Sequence, residues 1–349
     1  MSKVAIVTSV YNKAPWLDRC FNSFVNQTFS DLEFIVINNG STDESATIID
    51  KFSKQDPRFK VITLKDNIGP SGAYALGIEK VNTEYFALCD ADDYIPNNYI
   101  EVLFEKICEH NADISMCAND MVWDNGKVAT NNRPPKSEII FTSDDKNKLL
   151  PQIIDHHSNL YLGYYLAEIG VLWGKMYRTD FVRNLGINYD KDVWIYCDWL
   201  FNFELINNLN RMVYTEDTVY HFYQAAGSFT RSKKMNWNEL ARRKVVLDKF
   251  SSICSEFKGK SVIALNRFYF GNIVSVLGMY VEHFPKEVSK IDLIKVAKEI
   301  SNWPQYKYII DNKKLGLNWK QKVLVLLIKH NVMFPYVLRS KIRQLLKKN

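Results

Sequence analysis

Among the six cysteines of this 349-residue sequence there is no CxxC pair, after Asp311 there is no acidic residue, and nowhere is there a Gly-rich phosphate loop. Each absence excludes something. Cys20, Cys89, Cys108, Cys117, Cys197 and Cys254 lie far apart, mostly inside apolar runs, and read as reduced core residues of a cytoplasmic protein. Without G-x-S-x-G, a P-loop or G-x-G-x-x-G, serine hydrolases, P-loop kinases and dinucleotide dehydrogenases lack their fingerprints. His156, His157 and His221 have no His or Cys partner at zinc-site spacing and read as non-ligands. The opening MSKVAIVTSVYN lacks the apolar stretch and cleavage site of a signal peptide and reads as a first strand. In the C-terminal stretch the longest apolar run, Val323 to Ile328, has six residues, against roughly 20 for a bilayer crossing, so no transmembrane helix is expected.

What is present suits a folded enzyme-sized chain. Hydrophobic residues make up 47% and aromatics 13%, spread without low-complexity tracts, which supplies a core. The net charge of +6 is uneven: residues 312–349 hold ten Lys or Arg, leaving 35 basic against 39 acidic residues elsewhere. Basicity therefore belongs to the C-terminal stretch, and a nucleic-acid-binding core is not indicated.

Periodicity alternates between two and 3.6 residues through the first half, the pattern of βαβ units and a mainly parallel sheet. Strands are expected at Lys3–Val10, Glu33–Asn38, Lys60–Leu64, Tyr85–Cys89 and Asp113–Ala118. Helices are expected at Trp16–Asn26, Asp43–Lys54, Pro70–Val81 and Asn97–His110. Met121 to Pro151 reads as a hairpin and loop, with turn signals at Asn125-Gly126 and Pro134-Pro135. A helix follows from about Tyr196 to Asn207, then short strands near Arg211–Tyr214 and Val219–Tyr223. From Asn236 the pattern is helical to the end. The expected division is a catalytic domain at 1–235, with halves 1–120 and 121–235, and a helical region at 236–349.

Parallel sheets bind ligands beyond the carboxyl ends of their strands. Four polar clusters fall there: Ser9 to Asn12, Asn38 to Asp43, Asp66 to Ser71 and Asp90 to Asp93. In the last, Asp90-Ala91-Asp92-Asp93 crowds carboxylates where a buried strand turns into a loop. Such crowding is unfavourable unless a cation or hydrogen bonds offset it, and a hard divalent cation, Mn²⁺ or Mg²⁺, suits oxygen ligands. A solvated turn capping the next helix is the plainer alternative.

These blocks, taken in order, resemble the inverting family 2 glycosyltransferases of the GT-A fold from Val4 to about Arg231. The matching segments are Ile6 to Asn12 with Asn26-Gln27-Thr28, Asn38 to Asp43, Asn67-Ile68-Gly69-Pro70-Ser71 and Asp90 to Asp93. The resemblance implies transfer of a sugar from a nucleotide diphosphate, first a UDP-sugar, to a hydroxyl of a glycan or lipid-linked glycan in bacterial cell-surface polysaccharide synthesis. It implies nucleotide contacts at Ser9, Tyr11, Asn39, Asn67, Asp90 and Ala91, with metal at Asp92, the metal activating the leaving diphosphate. Tyr11 would stack on the base, or else fill the core. Tyr196-Cys197-Asp198-Trp199 resembles the block that supplies the catalytic base, which makes Asp198 the candidate; a helix cap is the alternative. Trp173 to Arg178 resembles a segment on the acceptor side, bringing in Trp173 and Lys175, although Trp173 suits a core equally. Ser228 and Arg231 would meet acceptor or diphosphate, or solvent.

Three positions depart from the family pattern. Asn38-Asn39 stands for an acidic pair, Tyr74 for an Arg, and Cys197 for the Glu before the base. An Asn amide both donates and accepts, so the choice of base is left open. These departures motivate an alternative, a sugar-nucleotide-binding or scaffold protein without turnover. A sugar nucleotidyltransferase fits less well, since its Gly-rich start is missing. The segments Trp319 to Lys329 and Tyr336 to Lys348 mix apolar and basic residues as interfacial anchors do, which implies peripheral contact with the inner face of the cell membrane. A packed helical subdomain with a basic face is the alternative.

Overall fold

The computed structural model describes residues 2–130, 133–134, 136–156, 158–224, 236–284, 286–311, 319–330 and 332. The chain divides into two compact units, Met1–Ser228 and Phe229–Asn349.

In the first unit, strands β1 (Val4–Val10), β2 (Leu32–Asn39), β3 (Phe59–Leu64) and β4 (Tyr85–Leu88) alternate with helices α1 (Ala14–Val25), α2 (Ser45–Gln55) and α3 (Gly69–Lys80). Strands β1, β2 and β4 are buried on both faces, as central parallel strands must be, with β1 buried at six of its seven positions, whereas the edge strand β3 is buried only at Phe59. Helix α1 buries Leu17, Cys20, Phe21 and Phe24, the i, i+3, i+4, i+7 stripe of an amphipathic helix. Its Phe21 joins Phe52 of α2 and Phe59 of β3 at ring-centroid distances of 5.3 and 5.2 Å, locking the layer together. Helix α3 packs on the sheet at Gly77, where a Cβ would collide with Val7 Cγ1 of β1.

Beyond β4 come α4 (Tyr99–Glu109), β5 (Ile114–Val122), β6 (Val128–Thr130), β7 (Glu138–Thr142), α5 (Lys146–Ile154), β8 (Lys175–Arg178), α6 (Thr179–Asn184), α7 (Cys197–Asn207) and β9 (Arg211–Tyr223). Among the described residues the nine strands form one sheet in the order β3-β2-β1-β4-β8-β5-β9-β7, with β6 on β5. Pairing is parallel across β3-β2-β1-β4; β8 then enters antiparallel to both β4 and β5. All four parallel strands thus end at one edge.

Most strands and helices fall within a few residues of expectation, and the differences have physical causes. Met121–Pro151 was expected to be a hairpin and loop. The hairpin is there, with Gly126 at φ +75°, but β7 and α5 follow it. Pro151 sits inside α5; burial of Leu149, Leu150, Ile153 and Ile154 offsets the missing backbone bond. The two short strands expected near 211–223 are one strand, whose pairing with β5 slips between Cys117 and Ala118. Cys108 is exposed, unlike the other five cysteines.

The second unit contains α8 (Glu239–Ile253), α9 (Lys260–Glu282), α10 (Lys290–Asn302), α11 (Pro304–Asp311) and α12 (Trp319–Lys329). Helix α9 buries residues around most of its circumference, from Ala264 to Val281. By length and composition alone it could cross a membrane, a feature passed over in the sequence, but just over half of its most apolar window is buried. Helix α10 begins with a capping box between Ser289 and Asp292.

Candidate active site

Hydrogen bonds join the four strand-end clusters into one surface. After β1 the chain turns at Asn12, a non-glycine residue at φ +54°. Its Oδ1 accepts from Thr42 N at 2.8 Å and its N–H donates to Ser41 Oγ at 3.2 Å, tying the β1 loop to the β2 loop. Asn39, 2% exposed at the end of β2, donates through Nδ2 to Asn67 Oδ1 and Gly69 O, both at 3.1 Å. Its Oδ1 accepts from Ile68 N at 3.0 Å, so the Asn39 amide clamps the loop before α3. Gly69 there adopts φ +81°, and a Cβ would lie 2.9 Å from the Trp194 ring. Ser71 Oγ donates to the Val193 carbonyl, binding α3 to the segment that leads into α7. Ser9 is half-buried, Ala91 buried, Asn67 exposed, and Tyr11 42% exposed beside this surface.

The acidic loop follows β4. Tyr74 Oη of α3 donates to Asp90 Oδ1 at 2.7 Å. Burial, followed by the charge of Asp92, lifts the Asp90 carboxyl to about 6. Fully buried Asp93 accepts from Tyr220 Oη and from Tyr223 N, each at 2.7 Å, and so staples the loop to the end of β9. Burial, with Asp90 and Asp92 adding to it, holds Asp93 well above the carboxylate range. Asp92 meets two cations: Lys13 Nζ donates to its Oδ2, and Arg19 Nη2 donates to its backbone carbonyl at 2.8 Å. The Arg19 guanidinium is held between Tyr223 and Tyr94, 3.7 and 4.7 Å from the ring centroids. The carboxylate oxygens of Asp90 and Asp92 form the hard donor set that a divalent cation prefers.

Asp198 lies in the first turn of α7, separated by Cys197 from the N-cap Tyr196, a non-glycine residue at φ +57°. Such a backbone costs about 1–2 kcal/mol and is sustained here by aromatic packing. The Tyr196 ring lies 4.6 Å from Trp199, which His156 meets edge-on at 4.7 Å. Burial raises the Asp198 carboxyl to about 7; Asp90 raises it further, while the Trp199 N–H and Lys175 oppose. Asp198 and Asp90 therefore lie within electrostatic reach of one another.

Lys175 is fully buried, with its ammonium donating to the carbonyls of Glu168 and Val171 at 2.7 Å and of Trp173 at 3.4 Å. Burial pulls it down to about 7, against the charges of Glu168 and Asp198. Trp173 is 7% exposed and stacks on Tyr220 at 4.8 Å, within the core. Ser228 and Arg231 lie outside the described residues, as do His157 and the 336–348 segment. His221 packs on Tyr94 at 4.6 Å. Lys13, Arg19, Tyr220 and Trp194 carry no motif of their own in the sequence; the one local signal is the place of Lys13 directly after the Tyr11-Asn12 pair. Away from this surface, Glu109, His110 and Glu138 bring three ligand atoms within 4.8 Å of one another. Lys106 already meets that group, 2.5 Å from Glu138 and 3.6 Å from Glu109.

A family model described as Glycosyl transferase family 2 matches residues 5–162. Glycosyltransferase GlyA of Streptococcus pneumoniae is 27% identical over 241 residues, which cover 67% of this chain and 32% of that protein. Uncharacterized glycosyltransferase EpsJ of Bacillus subtilis is 26% identical over 229 residues, 65% of this chain and 62% of that protein. The chain thus spans less than two thirds of either relative. The crystal structure of S. aureus TarS 1–349 in complex with UDP-GlcNAc superposes with a TM-score of 0.67 at 19% identity, covering 98% of this chain and 92% of that one. A mannosyltransferase from Pyrobaculum calidifontis, in complex with GDP-Man and Mn²⁺, superposes with a TM-score of 0.52 at 14% identity, covering 99% of this chain and 88% of that one. At these identities the structural likeness establishes the fold.

Proposed function

The chain carries a family 2 glycosyltransferase domain on the GT-A fold, and from that premise we propose that it transfers a sugar from a nucleotide diphosphate, first a UDP-sugar, to a glycan hydroxyl with inversion. The observation that carries this reading is geometric: the loops after β1 to β4 are joined through Asn12–Thr42, Asn39–Asn67 and Tyr74–Asp90 around the acidic loop of Asp92, and Ser71 ties them to the segment that leads to Asp198, a carboxyl that burial raises to about 7. A base with that affinity accepts the acceptor's hydroxyl proton near neutral pH as the hydroxyl attacks the anomeric carbon.

In this reading Tyr11 stacks on the base, and Ser9, Asn67, Asp90 and Ala91 line the nucleotide. Asn39 contributes by holding the 67–69 loop, since its amide is engaged there. Asp92, with Asp90 beside it, holds Mn²⁺ or Mg²⁺, and the ion when bound supplies charge stabilisation to the departing diphosphate. Lys175 holds the 168–173 segment from below, and Ser228 and Arg231 meet the acceptor or diphosphate.

A glycan acceptor, free or lipid-linked, suits the approach to Asp198. Trp194, Tyr196 and Trp199 are half-buried aromatics there, and aromatic faces pack well against sugar rings. Residues 188–199 hold Asp190, Asp192 and Asp198 against a single cation, Lys191, a poor match for a polyanionic acceptor. GlyA and EpsJ are bacterial, and with them the reading extends to cell-surface polysaccharide synthesis. On α12, exposed Val323 and Leu326 alternate with Lys322 and Lys329, which favours peripheral contact with an anionic membrane face.

The test is release of nucleoside diphosphate from a panel of sugar nucleotides, with and without Mn²⁺, in wild type and Asp92→Ala. The expected result is turnover of one donor that Mn²⁺ stimulates and Asp92→Ala abolishes. Nucleotide binding without turnover, whatever acceptor is offered, would instead favour the scaffold reading.

A further inference from the structure

Lys13 stands where a divalent cation would have to approach. Its ammonium engages Asp92 Oδ2, and the pair is sheltered, with side chains 24% and 13% exposed. The Lys13 backbone is fixed independently of the ammonium: its N–H donates to Ser45 Oγ at 2.9 Å. A four-carbon stem on an anchored backbone lets the charge move while the Cα stays.

We propose that Lys13 is a resident counter-ion that competes with the divalent cation for Asp92 and makes metal and nucleotide binding mutually dependent. This rests on the reading of Asp92 as the metal-holding residue. Placing two further positive charges beside the ammonium is repulsive in a sheltered site, so metal alone binds poorly. A nucleoside diphosphate changes the balance in two ways. Its oxygens add ligands for the metal, and its charge gives Lys13 a second partner, so the ammonium can leave Asp92 without becoming unpaired. The coupling is reciprocal: whatever factor the nucleotide adds to metal affinity, the metal adds to nucleotide affinity. Arg19 does not take this role, because its guanidinium is held between Tyr223 and Tyr94 and bonds the Asp92 carbonyl rather than the carboxylate.

The experiment is a titration of the full chain with Mn²⁺, read as free Mn²⁺ by electron paramagnetic resonance, with and without UDP. Wild type, Lys13→Met, Lys13→Arg and Asp92→Ala are compared, with thermal unfolding to confirm that each is folded. Lys13→Met is expected to bind Mn²⁺ alone about tenfold more tightly than wild type, with the gain from UDP shrinking by a similar factor. Lys13→Arg should stay close to wild type, and Asp92→Ala should remove the tight Mn²⁺ site uncovered in Lys13→Met when the two changes are combined. Equal or weaker Mn²⁺ affinity in Lys13→Met, including no binding by either protein, would overturn the proposal. Failure of the donor reading is separate: UDP would then bind under no condition, while the nucleotide-free comparison still decides the role of Lys13.

Discussion

The loops that follow β1 to β4 and the segment that leads into α7 each supply carboxyls to the same site, yet they are built differently. The strand-end loops are short and hold one another through polar side chains: Asn12 with Thr42, Asn39 with Asn67, and Tyr74 with Asp90. Their positions descend from the parallel register of the sheet. The α7 segment has no such register. It is held by aromatic packing around a left-handed Tyr196, with one bond from α3 through Ser71 Oγ to the Val193 carbonyl. Polar loops preorganise a surface for a charged ligand, whereas packing and burial keep a carboxyl dry enough to stay protonated near neutrality.

The sharpest way to test that contrast is to change the charge on each side. Asp198→Asn should lower kcat by about 1,000-fold, within the range for a lost general base, with donor affinity unchanged. Stopped-flow turnover and nucleotide calorimetry check this, and parallel losses in both would remove the distinction between the two regions. Lys175→Met comes next. It removes the bonds to the carbonyls of Glu168, Val171 and Trp173, of which Val171 O keeps Asn202 Nδ2 and Glu168 O keeps the Val171 N–H, and should destabilise the protein by about 2–3 kcal/mol in urea unfolding. Donor affinity should survive in the folded fraction, because the loops of β1 to β4 do not rest on this lysine. Gly69→Ala touches a place where the two regions meet directly, beside the bond from Ser71 Oγ to the Val193 carbonyl. With φ +81° and the Trp194 ring 2.9 Å from the new methyl, a loss of about 1–2 kcal/mol is expected. Here donor affinity and acceptor turnover should fall together.

The same contrast governs what could be read from sequence. Short polar clusters at the ends of apolar strands are visible as such, so Asp90 to Asp93, Asn67 to Ser71 and the first four strands stand out without coordinates. Two kinds of feature were hidden. Tertiary pairings across long separations, such as Lys13 with Asp92 or Tyr220 with Asp93, leave no local pattern. The division of polar from buried duty is also invisible locally: Asn39 and Lys175 read as ligand contacts, but both have their polar atoms engaged inside the protein. Helix α5 was obscured by Pro151, a breaker whose cost tertiary burial offsets.

The smallest effect is also the most specific. Asp198 has a folded pKa of about 7, above the ordinary value of 3.8. Between those two values the folded chain binds more protons than the unfolded one, so the stability associated with this group falls as pH rises toward 7. Above 7 the carboxylate is charged and partly dry, and below 4 neither state carries the penalty. Asn stays neutral throughout. Asp198→Asn should therefore be more stable than wild type at pH 8, by about 1 kcal/mol once screening of a half-buried group is allowed for. The difference should shrink toward zero at pH 4 to 5, where wild-type Asp198 is itself neutral. Over the same interval wild-type kcat/KM should climb with pH and level off above about 7, as the base ionises. Urea unfolding of both proteins at pH 5 and pH 8, beside the activity profile, reads both halves of the trade. A variant equally stable at both pH values would mean that Asp198 is hydrated enough to ionise freely, and that packing around Tyr196 and Trp199 does not keep it dry.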